Sequence, residues 1–229
     1  MNRMYEKTVV ITQASTEIGI AQTMLMAREG ANIVACGHDI AILAKMSQEV
    51  NAKGGHFLYY TSRPGQVNWK EIFRFAKEEF GSVDTLINNP YLPKNKILLN
   101  ASLFPSSNWR TSILSEYFEA SKCFVREKRN ELDGAIVNIS INFPGKDTAM
   151  EMSHRIQSER LYRISSRILR RYRIRANHII IDSQNTAQDI NNKEIPGHAE
   201  DLAYLTLFFA SDESYTLNGQ SISIKMNQL

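Results

Sequence analysis

Residues 7–39, KTVVITQASTEIGIAQTMLMAREGANIVACGHD, constrain this chain more than any other stretch. Val9, Val10 and Ile11 form a short apolar run that ends in turn-type residues. From Ile18 to Arg28 the spacing is helical, with Ile18, Ala21, Met24 and Leu25 on one side. Gly30 stops that pattern, and residues 32–36 begin a second β-rich run. A strand, tight turn, helix and strand in this order open a doubly wound sheet, in which a dinucleotide pyrophosphate sits on the first helix N-terminus.

The alternation continues along the chain. Residues 41–53, 68–80, 109–132, 152–172 and 200–210 read as helices, the third of these five segments having the longest reach. Residues 56–60, 83–88, 135–140 and 174–181 read as strands, and 222–224 lie in a last one. Strands alternating with helices predict a parallel sheet of about seven strands covered on both faces, an α/β fold. No repeat, low-complexity tract or linker divides residues 1–229, so a single domain is expected, and this length suffices for a full core. The absence of an 18-residue apolar run argues against a membrane span. The first strand is entered by Thr8 without a signal-peptide segment, and Cys36 and Cys123 have no metal-like spacing. Both thiols are read as buried in a cytoplasmic protein. The net charge of +3 is too small to imply nucleic acid by itself.

Several segments together resemble the short-chain dehydrogenase/reductase family, whose members share a Rossmann-like doubly wound sheet. Asp84, Leu86, Ile87, Asn88 and Asn89 match the strand ending in that family's NNAG, although Pro90 and Tyr91 replace its Ala-Gly. Gly134 to Ser140 matches the fifth strand, Ile174-Arg175-Ala176-Asn177 looks like IRVN, and FFASDESYTLNGQ at 208–220 is close to the C-terminal helix, turn and last strand. The resemblance implies NAD(P) binding, with Thr12, Ser15, Ile18, Gly19, His38 and Asn88 at the positions that would hold the cofactor. Gly37-His38 falls where many relatives carry Gly-Arg for a 2′-phosphate.

The opening motif is depleted. Against the family's TGxxxGxG, residues 12–19 read TQASTEIG, so only Thr12 and Gly19 match. Gln13 adds bulk at the turn. Glu17 puts a carboxylate where the cofactor's negative charge would lie, and the helix dipole favours that carboxylate without any cofactor. The Asp that usually meets the adenine aligns with Tyr60, whereas Pro64, Gln66 and Val67 suit the family pattern. The Pro-Gly that borders the nicotinamide becomes Ile181-Asp182, and the short span from there to Asp201 implies a reduced substrate lid.

The family's Asn-Ser-Tyr-Lys set transfers a proton at the substrate oxygen, which needs a titratable donor within hydrogen-bond reach. Carried over by position, the asparagine becomes Ile113, the serine Ile141, the tyrosine His154 and the lysine Ser158. Ser140 is one residue early and should face the other way. A second register puts the tyrosine at Tyr162 but leaves Ser166 for the lysine. His154 can serve as an acid/base near neutral pH, or stand as a polar residue beside an empty cleft.

Eight arginines, at 155, 160, 163, 167, 170, 171, 173 and 175, crowd the last long helix and its exit, with Glu159 the one acid among them. In the family this helix packs with its neighbour, here carrying Glu116 and Glu119, across a two-fold interface. Arginine–glutamate pairing between subunits and a solvated basic face are both compatible with the sequence. A nucleic-acid patch would need stacking aromatics or a second basic element.

These departures imply a family member that has lost NAD(P) binding and hydride transfer, with no cofactor and no metal. It would act as a binding, regulatory or structural subunit, in a homo-oligomer (dimer or tetramer) or a hetero-oligomer with an active relative. The alternative is an enzyme, either an atypical NAD(P)H-dependent oxidoreductase acting on a carbonyl or hydroxyl, or a cofactor-independent enzyme using His154.

Overall fold

The computed structural model describes residues 2–61, 67–90, 106–128, 133–142, 148–183 and 198–226, with the side chains of 106–115, 142, 148–158, 183, 198 and 226 outside the description. The elements in chain order are β1 (Thr8–Ile11), α1 (Glu17–Arg28), β2 (Asn32–Gly37), α2 (Ile40–Ala52), β3 (Phe57–Thr61), α3 (Trp69–Phe80) and β4 (Thr85–Asn88). They continue with α4 (Ser106–Glu127), β5 (Gly134–Asn142), α5 (Thr148–Leu169), β6 (Ile174–Ser183), α6 (His198–Ala210) and β7 (Ser221–Met226). The seven strands form one sheet in the order β3-β2-β1-β4-β5-β6-β7, and every neighbouring pair is parallel. The expected α/β doubly wound sheet is therefore observed. Chain order reverses between β1 and β4, so a crevice opens at the carboxyl ends of those two strands, where such sheets take their ligands.

Local sequence explains the elements. The four residues of β1 and the four of β4 are all buried, as required of parallel strands covered on both faces. Short polar side chains cap the helices. Thr16 Oγ1 accepts from the Gly19 amide at 3.2 Å, Asp39 Oδ1 from Ala41 and Ile42, and Asn68 Oδ1 from Glu71. Gly81 follows α3 at φ 81°, a left-handed turn that glycine adopts freely.

Two cores flank the sheet. Ile11, Ile33, Leu43, Val137, Ile179 and Phe209 belong to the one beneath α1, α2 and α6. Val10, Phe73, Leu86, Phe124 and Ile136 belong to the one beneath α3 and α4. The Phe73 and Phe124 rings lie 6.0 Å apart at 52°, a tilted pair that adds about 0.5–1.5 kcal/mol beyond burial. Phe75 departs from the inward position its apolar character implies. It is 37% exposed because Trp69, Ile72, Phe73 and Ala76 already fill the inward arc of α3, and the Arg74 guanidinium covers its ring at 4.8 Å. Cys36 is buried as expected, whereas Cys123 is only half-buried on α4.

Candidate functional site

The turn between β1 and α1 is closed by its own side chains. Gln13 holds a left-handed φ of 50° where a glycine would sit freely. Thr16 Oγ1 donates to the Gln13 carbonyl at 2.8 Å while capping Gly19. Ser15, 2% exposed, accepts from the amides of His38 at 3.3 Å and Asp39 at 3.4 Å, and its hydroxyl lies 3.4 Å from His38 Nδ1. This fastens the turn to the end of β2. Gly37 permits the approach, since a Cβ there would lie 2.8 Å from Ser15 Oγ.

Gly19 shows why one motif glycine persists. A Cβ at this position would meet the Gln13 carbonyl oxygen at 2.3 Å, a backbone clash no rotamer relieves. The helix start is thus pressed against the turn as closely as two backbones allow. Ile18 is 3% exposed, and its amide has no acceptor among the described residues. Glu17, beside it, is exposed in the first turn. A helix N-terminus with a free amide is a ready anion site, but this one already carries a carboxylate.

The carboxyl end of β4 is tied to the same turn. The Asn89 amide donates to Thr12 Oγ1 at 2.8 Å, and Asn89 Nδ2 donates to the Thr12 carbonyl at 2.9 Å and to Gln22 Oε1 at 2.7 Å. Gln22 Nε2 donates onward to Thr206 Oγ1 at 3.0 Å, so α1, α6 and β4 share one buried network. Asn88, on the opposite face, donates to Asn138 Oδ1 at 2.8 Å, while its own Oδ1 is buried without a partner. Thr12, Ser15, Ile18, Gly19, His38 and Asn88 all lie at the carboxyl ends of β1, β2 and β4 or in the turn and α1 start that follow β1. Neither Gln22 nor Asn89 was anticipated as part of this site. A glutamine on the buried side of an apolar helix was the available signal, because buried amides require partners.

The positions of the expected proton-transfer set divide. Ile141, the position carried over for the serine, is half-buried and packs against the core beneath α1 and α6. Ile113 lies in α4, and His154 and Ser158 in α5, with side chains outside the described residues. Tyr60 lies in β3 with its ring 6.2 Å from Phe75, and burial raises its phenol pKa. Ile181 and Asp182 continue β6 rather than turning out of it, paired with Ile141 and Asn142 on one side and Ile224 and Lys225 on the other. Pro64, Gln66, Tyr91 and the lid span to residue 197 lie outside the described residues, whereas Pro90 is buried.

One constellation escaped the sequence reading. Ser140 turns toward α5, opposite to Ile141, and its Oγ lies 2.8 Å from His178 Nε2. The Tyr162 ring packs on the imidazole with centroids 4.0 Å apart. Burial lowers the His178 pKa to about 3, so the ring is neutral, and its Nδ1 is buried without a partner. Burial likewise raises the Tyr162 pKa well above the ordinary phenol value. Ser166, four residues on, donates to the Arg163 carbonyl, so a hydroxyl stands at the lysine position of the second register. The pair sits inside the helix–sheet contact, with His178 only 2% exposed. The two-residue strand period could have revealed it, since Asn138 pairs with His178 and Ser140 is two residues further along the same face.

No group of three potential metal ligands occurs among the described residues, and no described helix is long and apolar enough to cross a membrane. Comparison with known proteins adds an independent line. The sequence model of the family described as short chain dehydrogenase matches residues 7–151. The chain is 25% identical to a 3-oxoacyl-[acyl-carrier-protein] reductase of Thermotoga maritima, covering 97% of each protein. It is 26% identical to a trans-4-hydroxycyclohexanecarboxylate dehydrogenase of Sinomonas cyclohexanicum, covering 97% of this chain and 93% of the relative. It is also 26% identical to an L-rhamnose 1-dehydrogenase (NAD(P)(+)) of Azotobacter vinelandii, covering 96% of each. Among solved structures, a short chain dehydrogenase of Mycobacterium smegmatis superposes with a TM-score of 0.79 at 17% identity, covering 100% of this chain and 96% of that one, a likeness of fold.

Proposed function

Because the chain belongs to the short-chain dehydrogenase family, we propose that it is an atypical oxidoreductase that holds NAD(P)(H) over the α1 N-terminus and acts on a carbonyl or hydroxyl group. The observation that carries this reading is the cradle at Gly19, where a Cβ would stand 2.3 Å from the Gln13 carbonyl oxygen. That close packing holds the helix start against the turn, and the Ile18 amide there would receive a phosphate although two motif glycines are gone. The full-length likeness to working dehydrogenases supports the same conclusion.

The residues present fit the cofactor with reduced strength. Thr12, Ser15, Ile18 and Gly19 would form the phosphate cradle, His38 would stand at the ribose end, and Asn88 would line the crevice floor. The nicotinamide, when bound, supplies or accepts hydride. Glu17 opposes the phosphates. Ile141 cannot steady a substrate oxygen as a serine hydroxyl would, which leaves His154 as the candidate proton donor. Titration of NADH and NADPH into the purified chain tests the reading. Saturable binding is expected, together with carbonyl reduction that His154→Phe abolishes without weakening cofactor binding. No heat or thermal shift at millimolar cofactor refutes it.

The aliphatic side chain of Ile141 favours a second reading, a binding or regulatory subunit without turnover. In either case we propose that a second copy covers the groove of about 380 Å³ between α4 and α5, with Phe118, Ile168 and Tyr172 at its rim. Phe118 is 44%, Ile168 54% and Tyr172 40% exposed. Such an apolar stripe pairs with its own copy about a two-fold axis. Ile168→Glu should yield a monomer by sedimentation, and a monomeric parent chain would refute the assembly.

A further inference from the structure

Arg163 and Arg167 of α5 do not line the groove shared with α4. They stand on the opposite flank of the helix, and Arg170 follows in the 3₁₀ turn after it. All three face a cleft of about 830 Å³ whose far wall is residues 215–220. Asn218 Nδ2 donates to the Ser166 carbonyl at 3.2 Å, and a Cβ on Gly219 would lie 2.6 Å from Ser166 Oγ, so the far wall is pinned against the helix. This end of the molecule is opposite to the crevice at the carboxyl ends of β1 and β4.

The charge of this cleft is unbalanced. Five guanidinium groups line it, those of Arg163, Arg167, Arg170, Arg173 and Arg175, against the single carboxylate of Asp133. Five minus one leaves +4, which exceeds the formal +3 of the whole chain. Two of the five are engaged. Arg173 pairs with Asp133 through Nε at 3.0 Å and Nη2 at 3.1 Å. Arg175 donates to the carbonyls of Phe209, Ser211 and Ser214, closing the C-terminal end of α6. Arg163, Arg167 and Arg170 form no ion pair or hydrogen bond through their side chains among the described residues. A helix C-terminus favours cations, which accounts for Arg170, but not for three guanidiniums converging on one concavity.

We propose that this cleft binds a small polyphosphate anion. Guanidinium groups match phosphate oxygens bidentately, and the volume is that of a small-ligand pocket. Tyr215, 60% exposed, offers a single ring at the rim. One ring at the rim suits a compact ligand rather than a nucleic-acid strand, which needs successive stacking platforms.

The test is calorimetric titration of inorganic tripolyphosphate into the full chain, with ATP as a second ligand. One saturable site is expected, weakening as salt rises. Arg167→Gln should weaken it roughly tenfold or more, as loss of a charge-assisted hydrogen bond does, and Arg163→Gln/Arg167→Gln/Arg170→Gln should abolish it. Because these side chains are exposed, unfolding curves of the variants should superimpose on the parent's. If the triple variant unfolds, the single Arg167→Gln comparison decides. NADPH titration should be unaffected by the triple substitution, which separates this cleft from the crevice at α1. ATP binding more tightly than tripolyphosphate places a base on Tyr215, and equal affinity confines the site to phosphates. Both results support the proposal. No saturable binding overturns it, as does binding that survives the triple substitution or displacement of tripolyphosphate by a tighter single-stranded oligonucleotide.

Discussion

Glu17→Gln should strengthen cofactor binding while weakening the empty protein, two effects of opposite sign from one atom change. Glu17 opens α1, directly after the capping Thr16 and beside the Ile18 amide. A carboxylate and a phosphate about 4 Å apart repel by about 1 kcal/mol in water and about 4 kcal/mol near a protein surface. Glu17 is exposed, so the lower figure applies, and removing it should lower the NAD(P)H dissociation constant by roughly fivefold. The same carboxylate stabilises the helix start by about 0.3–1 kcal/mol. Its loss should lower the unfolding midpoint of the empty chain by roughly 1–4 °C. Calorimetric titration at low salt and near 1 M salt, where the screening length falls to about 3 Å, gives the affinity gap between parent and variant. Differential scanning calorimetry gives the stability. A variant that binds no better, or a gap that ignores salt, would refute the electrostatic reasoning and shift blame to the bulk of Gln13.

Three further outcomes follow from buried groups. Lys128, 3% exposed, pairs with Asp84 at 2.9 Å, and Asp84 also accepts from the Thr8 amide. Asp84→Ala should therefore cost about 1–3 kcal/mol in denaturant unfolding, chiefly by leaving the Thr8 amide without its acceptor, and Asp84→Asn should cost less. Gly219→Ala forces a left-handed φ of 74° and a 2.6 Å contact on Ser166, so a loss of about 1–3 kcal/mol is expected, partly relieved by Ser166→Ala. His178 has its folded pKa lowered to about 3 against roughly 6.5 unfolded, so only the unfolded chain takes up that proton between those values. Stability from this group is complete above about pH 6.5 and is lost as pH falls, by about 2 kcal/mol at pH 5. His178→Asn should flatten that part of the pH profile, and an unchanged slope would contradict a neutral buried imidazole.

The alternation of strand and helix carried the fold because a parallel sheet covered on both faces demands strands buried on both sides, and β1 and β4 are buried throughout. Ladder extent was less legible. Ile181-Asp182 reads as the end of a strand, yet backbone pairing with both β5 and β7 carries β6 through Ser183. Around the site, Gly19 and Thr12 could be recognised from motif spacing. The Thr12–Asn89–Gln22–Thr206 network could not, because Gln22 and Thr206 are 184 residues apart and meet only when α1 packs on α6. The arginine run was visible as composition, but its flank was not. Helical spacing places residues on a common face without saying which neighbour that face meets, and here it meets residues 215–220 instead of α4.

The hydrogen bonds that close the turn at residues 12–19 also bear on the tempo of ligand capture. Thr16, Ser15 and Asn89 already brace this turn, so little chain entropy remains to be lost when a ligand arrives. Rapid-mixing traces with NADPH should then show one phase whose rate rises linearly with concentration, without the plateau of a slow isomerisation. Dissociation, not arrival, would set the difference between this chain and a tight-binding relative. Amide exchange in the turn should be nearly the same before and after loading.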